Sequence, residues 1–322
     1  MPDPVCETDL KFKSVTSITN DFLLNILEAN FKMFLDWSFL HIGAWFDAQI
    51  PLGDTIYSQE NPHYKLLLVD DRSFNPGQVW QGIRKDWVWE TGVVCTGGNP
   101  VSISGVYLDD IFTTSENLTF TVNYPLGRIV FEQSVQGDVK VEVNHSYRHV
   151  QIYRANDSPW FNIIQYASYQ NDNPDIIRIS EGEWSIGGNH RIQLPAIIIE
   201  SVPRSRSRPY EIGSKALIVD QDMCFHVLAE TKNERNKIMD ILRLQQDLNM
   251  FLFDTNLLSR DDNFPLDYNG SLKSGALMYP DIIDQYKWRK CWIKTANLTE
   301  IESLHYNFHQ GQVKMTLEII SP

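Results

Sequence analysis

The chain has little of what usually announces chemistry by spacing alone. Its four cysteines, Cys6, Cys95, Cys224 and Cys291, lie far apart and form no CxxC pair, and Cys224-Phe225-His226 has no second pair to match it, which argues against a compact zinc motif. Free thiols in a reducing compartment are the expectation. Positive charge is scarce: 28 Lys and Arg stand against 41 Asp and Glu, a formal net charge of -13. That balance argues against a surface devoted to nucleic-acid backbone, although a local basic patch is compatible with it. A long apolar run is also missing. The most apolar window, residues 22 to 46, is interrupted by Asn25, Glu28, Asn30, Lys32, Asp36 and His41, which argues against a membrane span. The start, MPDPVCETDLKFK, carries acids where an export signal carries bases, so no export is expected. The sequons at Asn117, Asn144 and Asn297 then read as chance matches.

Catalytic signatures are equally sparse. No G-x-S-x-G elbow, phosphate-binding loop, H-E-x-x-H or dinucleotide fingerprint occurs. The doublets Asp70-Asp71, Asp109-Asp110 and Asp261-Asp262 lack the ladder of oxygen ligands of an EF-hand and sit among turn residues, where Asp is common anyway. Cys224 and His226 share a strand face, which allows a thiolate pair or two metal ligands, but with no further matched pair in the sequence a place in the core is the favoured reading. His145 and His149 would lie about 13 Å apart along a strand, too far for one metal. No catalytic, metal or cofactor residue is assigned, and enzymatic turnover is not expected.

What is present is organisation. At 322 residues and 43% hydrophobic content, the chain can bury a large core. Asn20 is a candidate N-cap, and Leu23, Ile26, Leu27, Phe31, Phe34 and Leu35 recur at helical spacing, predicting an amphipathic helix over about 20–40. Aromatic density continues through Trp37, Phe39, Trp45 and Phe46, as in a buried helix end or a partner surface; Trp37, Trp45 and Phe46 are candidate contact residues. From Gly77 to about Arg154, short strands alternate with Gly, Pro, Asn and Asp clusters, predicting an all-β sandwich. Within it, TFTVN and RIVFE flank Tyr124-Pro125-Leu126-Gly127, a hairpin that puts Phe120, Val122, Ile129 and Phe131 on one face. Trp80, Trp87 and Trp89 fit either a core or a ligand-stacking platform.

RIQLPAIIIE reads as one strand, with Pro195 marking an edge or a bulge. VPRSRSRPYEIG reads as a loop holding the chain's only concentrated positive charge, Arg204, Arg206 and Arg208, either solvated or contacting an acidic partner or nucleic acid. KALIVDQDMCFHVLAE is a strand feeding a helix. Thr231 and Glu234 form a capping box, and Ile238, Ile241, Leu242, Leu248 and Leu252 mark the helix's apolar side. Residues 253–286 read as irregular, and the chain closes in two antiparallel strands. The fold class expected is therefore α+β: a mixed antiparallel sheet flanked by two helices, with an inserted all-β sandwich. The divisions are 1–76 (helix and connection, part of the core domain), 77–155 (inserted module) and 156–322 (core domain).

Two resemblances follow from these residues. Gly105-Val106-Tyr107, Tyr124, Gly127-Arg128-Ile129, Phe131 and the run from Val141 to Tyr147 resemble the β-sandwich modules of tailed-bacteriophage structural proteins; Pro125 and Asp109-Asp110 depart from the commonest form. The helix near residue 20, RIQLPAIIIE, MCFHVLAETKNERNKIMDIL and the final strand pair resemble, in order and pattern, phage tail-terminator and tail-completion proteins. These resemblances imply a virion protein assembled in the host cytoplasm, forming a homo-oligomeric ring, a hexamer or a multiple of one, at the neck or tail end. Implied partners are other neck or tail proteins, with DNA passing through the channel, no membrane and no cofactor. A baseplate or fibre-attachment protein is an alternative, and a carbohydrate-binding module using the three tryptophans is another.

Overall fold

The computed structural model describes residues 17–51, 62–167, 174–180, 182–188, 190–211, 216–301 and 303–321. Cys6 and Glu302 lie outside them. Among the described residues the protein is α+β, mostly sheet, with five α-helices.

Helix α1 (Leu23–His41) buries Ile26, Leu27, Phe31, Leu35, Phe39 and Leu40. The expected cap is displaced: Phe22 holds the N-cap position with no side-chain hydrogen bond. Asp21, one residue earlier, is instead pinned by Asn256, which accepts its N–H at 2.7 Å and donates to its carbonyl at 2.9 Å. A tertiary bracket thus fixes the chain just ahead of the helix.

Strands β1 (Trp45–Ala48), β2 (Leu66–Leu68), β3 (Val79–Gly82), β4 (Val106–Leu108), β5 (Ile111–Thr113), β6 (Phe120–Asn123), β7 (Arg128–Phe131), β8 (Val141–Glu142) and β9 (His145–Arg148) are short and antiparallel. They make two small sheets, β2-β3-β7-β6 and β5-β4-β8, with β1 paired to β9. Trp80, Trp87, Ile129 and Phe131 form their common core. The β6–β7 hairpin is as its sequence predicts: Phe120 pairs with Phe131 and Val122 with Ile129. Gly127 takes φ 61°, and a Cβ there would meet Arg84 O at 2.7 Å, so only glycine fits. Pairing does not follow the expected limits of 77 and 155. Strand β2 lies before residue 77, and β10 (Gln151–Arg154) pairs in parallel with residues 196–199 of the larger sheet.

After β10 come α2 (Trp160–Tyr166), β11 (Ile176–Ser180), β12 (Glu183–Ile186), β13 (His190–Gln193), β14 (Ala196–Pro209), β15 (Leu217–Ala229), α3 (Lys232–Arg243), β16 (Asn249–Phe253), α4 (Thr255–Arg260), α5 (Tyr279–Tyr286), β17 (Lys287–Glu300) and β18 (His309–Ser321). Four expectations change here. RIQLPAIIIE is two strands in two sheets: β13 closes the three-stranded β11-β12-β13 sheet, and β14 starts the six-stranded sheet β10-β14-β15-β18-β17-β16. The arginine segment is not a loop but the second half of β14. Residues 253–286 contain two helices, α4 and α5. Leu248 and Leu252 lie beyond α3, because the helix ends at Arg243 and the chain turns into β16. The Thr231 cap forms, with Thr231 Oγ1 accepting from Glu234 N–H at 3.2 Å, while the Glu234 carboxylate faces His149.

The six-stranded sheet is built on period two. Along β18, Val313, Met315, Leu317 and Ile319 are buried while Gln312, Lys314, Thr316 and Glu318 are half-buried. The apolar face carries Ile197, Ile199, Phe225 and Val227 from β14 and β15, and α1 and α3 pack on it. Each such side chain, fully buried, contributes about 1.5–3 kcal/mol. The opposite face is covered at one end by α2 and the three-stranded sheet, through Trp160, Phe161, Trp184 and Phe308. Its other end is open.

Candidate functional site

On that open end the side chains are charged. Arg204, Arg206 and Arg208 from β14, Lys314 from β18 and Lys294 from β17 face Asp220 and Asp222 from β15 and Glu318 from β18. Five cations meet three carboxylates, so this patch is positive on a chain of net charge -13. Five of its members, Arg204, Arg206, Lys314, Asp220 and Asp222, line a basin of about 260 Å³ whose wall includes Asn297 and Thr316.

The pairing within the patch is uneven. Arg208 Nη2 donates to Glu318 at 3.0 Å, Lys314 lies 3.1 Å from Asp222, and Lys294 lies 3.4 Å from Asp220 and 3.3 Å from Glu318. Arg204 stands 3.8 Å from Asp222, while Arg206 has no ion pair among the described residues. Burial pushes the Asp222 carboxyl up, but hydrogen bonds from Lys314 and Thr316 and the charges of Lys314 and Arg204 outweigh it and hold it below its ordinary value. The carboxylates are therefore engaged, and Arg206 carries the unspent charge.

β14 reaches well past the core. Residues 196–199 are fully buried between β10 and β15, whereas every residue from Pro203 to Pro209 is exposed, and among the described residues Ser205 to Pro209 pair with β15 alone. A register shift between Ser201 and Ser205 separates the two halves, and Gln221 fills it, donating to Val202 O at 2.6 Å. Sequence reasoning missed this strand because Arg, Ser and Pro dominate it. A signal was present nonetheless: Pro203, Ser205, Ser207 and Pro209 recur every second residue, the parity of one strand edge.

The other contact candidates do not join this patch. Trp37 lines an apolar groove between α1 and α3, on the helix side of the sheet, with Phe34, Ile42 and Ile241. Trp45 packs beside Leu40 and Val88, and Phe46, about half exposed, lies against Tyr147 and His149. Trp80 and Trp87 are core side chains with 3% and 0% exposure, and Trp89 is partly buried against the same core, so no tryptophan platform faces solvent.

Cys224 and His226 do share a face, and both are buried. His226 Nε2 lies 2.8 Å from Glu200, while burial pushes the Cys224 thiol up to about 11, away from reactivity. His145 stacks on Trp87 with centroids 4.1 Å apart, its ring pushed down to about 3 by burial and so neutral; His149 instead faces Glu234 at 3.2 Å. Asp109 and Asp110 form a left-handed turn, and their carboxylates hold the Lys140 N–H and ammonium. Among the described residues, no three His, Cys, Asp or Glu side chains converge as a metal site, and no helix is long and apolar enough to cross a membrane.

A second cleft, of about 300 Å³, opens beside α1. Lys32, Asp36, Glu90 and Arg154 meet Trp89, Phe264 and Tyr279 there. Burial pushes the Asp36 carboxyl up to about 7, against the pull of Arg148. Of its polar groups, Glu90 pairs with Arg148, and Arg154 pairs with Glu28 of α1. No protein-family model, curated protein or solved structure matches the chain.

Proposed function

We propose that this protein is a structural subunit of a tailed-phage virion, forming a homo-oligomeric ring at the neck or tail end and built as a tail-terminator-like α+β domain with an inserted β-sandwich. The observation that carries the reading is the β14–β15 arm. A strand that leaves the core with seven consecutive exposed residues and surplus positive charge is poorly explained by monomer stability, since exposed edges invite pairing. Repeating one such heterologous contact closes a ring. The acidic remainder of the chain supplies complementary charge. The partners in this reading are further copies and adjoining neck or tail proteins, with DNA passing through the channel, and assembly takes place in the host cytoplasm.

One observation favours the baseplate or fibre-attachment reading. The β4–β5 hairpin exposes Ile111 at 70% and Phe112 at 45%, an apolar tip suited to another tail component. Light scattering on the purified protein, followed by electron microscopy of virions with this chain located, tests both readings. A ring at the neck or tail end supports the first. A monomer placed at the baseplate overturns it in favour of the second.

A further inference from the structure

The backbone of the arm points to a specific partner. Tyr210 N–H donates to Ala216 O at 3.0 Å, and residues 205–209 pair with 221–217 without a register shift. In an antiparallel ladder the inward and outward directions alternate, so Arg206 and Arg208 aim their backbone groups at β15, while Ser205, Ser207 and Pro209 aim theirs outward. Ser201 N–H, nearer the core, is taken by Glu28 at 3.2 Å. Pro209 has no N–H to offer. Among the described residues the open edge is therefore a short window: the N–H and C=O groups of Ser205 and Ser207, closed off by Glu28 on one side and Pro209 on the other.

The opposite edge of the same sheet is treated differently. Buried Asn30 donates from Nδ2 to Phe253 O at 3.0 Å and accepts Phe253 N–H on Oδ1 at 2.8 Å, so a side chain occupies the backbone of β16 where a strand would otherwise add. One edge is plugged and the other is left open, beside three arginines on one face of which Arg206 has no ion pair among the described residues.

We infer that the Ser205–Ser207 edge of β14 accepts an extended, acidic segment from a second copy of this chain, as an added strand held by backbone hydrogen bonds and selected by Arg204, Arg206 and Arg208. Charge complementarity selects the occupant: a copy of formal charge -13 is drawn to the positive patch of its neighbour. The inference rests on the ring reading and names its contact.

The double variant S205P/S207P tests it. Both substitutions remove outward-facing N–H groups only, at the parity where Pro209 is already accommodated, so the β14–β15 ladder stays intact. The expected result is a melting temperature and circular dichroism like wild type, with a dissociation constant for self-association raised by about tenfold or more, measured by light scattering over a concentration series. R206P, which removes an inward N–H, should unfold the arm and serves as contrast. Wild-type assembly that S205P/S207P leaves unchanged overturns the edge contact while leaving the ring reading standing. A wild-type monomer at every concentration overturns both. If the double variant misfolds, amide exchange on wild type decides: the Ser205 and Ser207 amides gain about tenfold protection or more on assembly, and no gain overturns the inference.

Discussion

Arg148 Nη2 donates to both carboxylate oxygens of Glu90, at 2.7 and 2.5 Å, with the two side chains only 5% and 4% exposed. The same guanidinium reaches the backbone carbonyl of Asp36 on α1 through Nη1 and stands 3.8 Å from Asp86. One buried cation thus ties the small β-sheets to the principal helix. A buried pair adds little net stability when intact, but losing one partner strands the other charge. Glu90→Ala is expected to cost about 3–5 kcal/mol in urea unfolding. A loss under about 1 kcal/mol, the range of surface pairs, would show that solvent reaches the pair.

Asp36 gives this joint a pH dependence. Burial, opposed by Arg148 and Lys32 and reinforced by Asp86 and Glu90, raises its carboxyl from 3.8 to about 7. The folded state therefore holds a proton that the unfolded state has released between those values. Stability contributed by protonated Asp36 is present in acid and is lost as pH rises from about 4 through about 7. Asp36→Asn removes that dependence. Melting temperatures of wild type and D36N should diverge in favour of the variant between pH 5 and pH 8, and parallel profiles would refute the shift.

How much of this was legible in the chain depends on the range of the interaction. Local period and capping predicted α1, the Thr231 cap with the strand before it, and the β6–β7 hairpin, because each is decided within a few residues. The change of sheets at Pro195 was not legible, since it depends on which distant strand pairs with each half. The Arg204–Arg208 patch was found by composition, but its backbone was misread. Polar composition looks like a loop until β15 is placed beside it. The Glu90–Arg148 joint left no sequence signal, its members being far apart and each unremarkable alone.

The described thiols should be inert. Cys95, Cys224 and Cys291 are buried, and burial pushes Cys224 up to about 11 and Cys291 up to about 12. Thiolate is the reacting form, so little is available at pH 8. In a Cys6→Ser background, a disulfide-exchange reagent should label almost nothing until denaturant is added and then label all three. Rapid labelling of the native protein would mean that one of these sites opens on the timescale of the assay.

The limits of the small β-sheets yield the last prediction. Residues 77–155 omit β1 and β2, yet β1 pairs along the whole of β9, and β2 places Leu66, 5% exposed, in the core beside Trp80 and Phe131. Tyr64 O also accepts Val143 N–H at 2.9 Å, closing β2 onto the segment after β8. A fragment starting at 77 would leave that backbone unpaired and uncover the tryptophan core. It would also end in β10, whose partner strand β14 is absent. Residues 44–149 keep β1 to β9 together with both members of the Glu90–Arg148 pair, and they end where His149 N–H meets Ala44 O at 2.9 Å. The 44–149 fragment is expected to give dispersed amide resonances and a cooperative melt, and the 77–155 fragment to give neither. Equal melting of the two fragments would show that β1 and β2 are accessory to the core, and that Trp80, Trp87 and Phe131 hold it together without them.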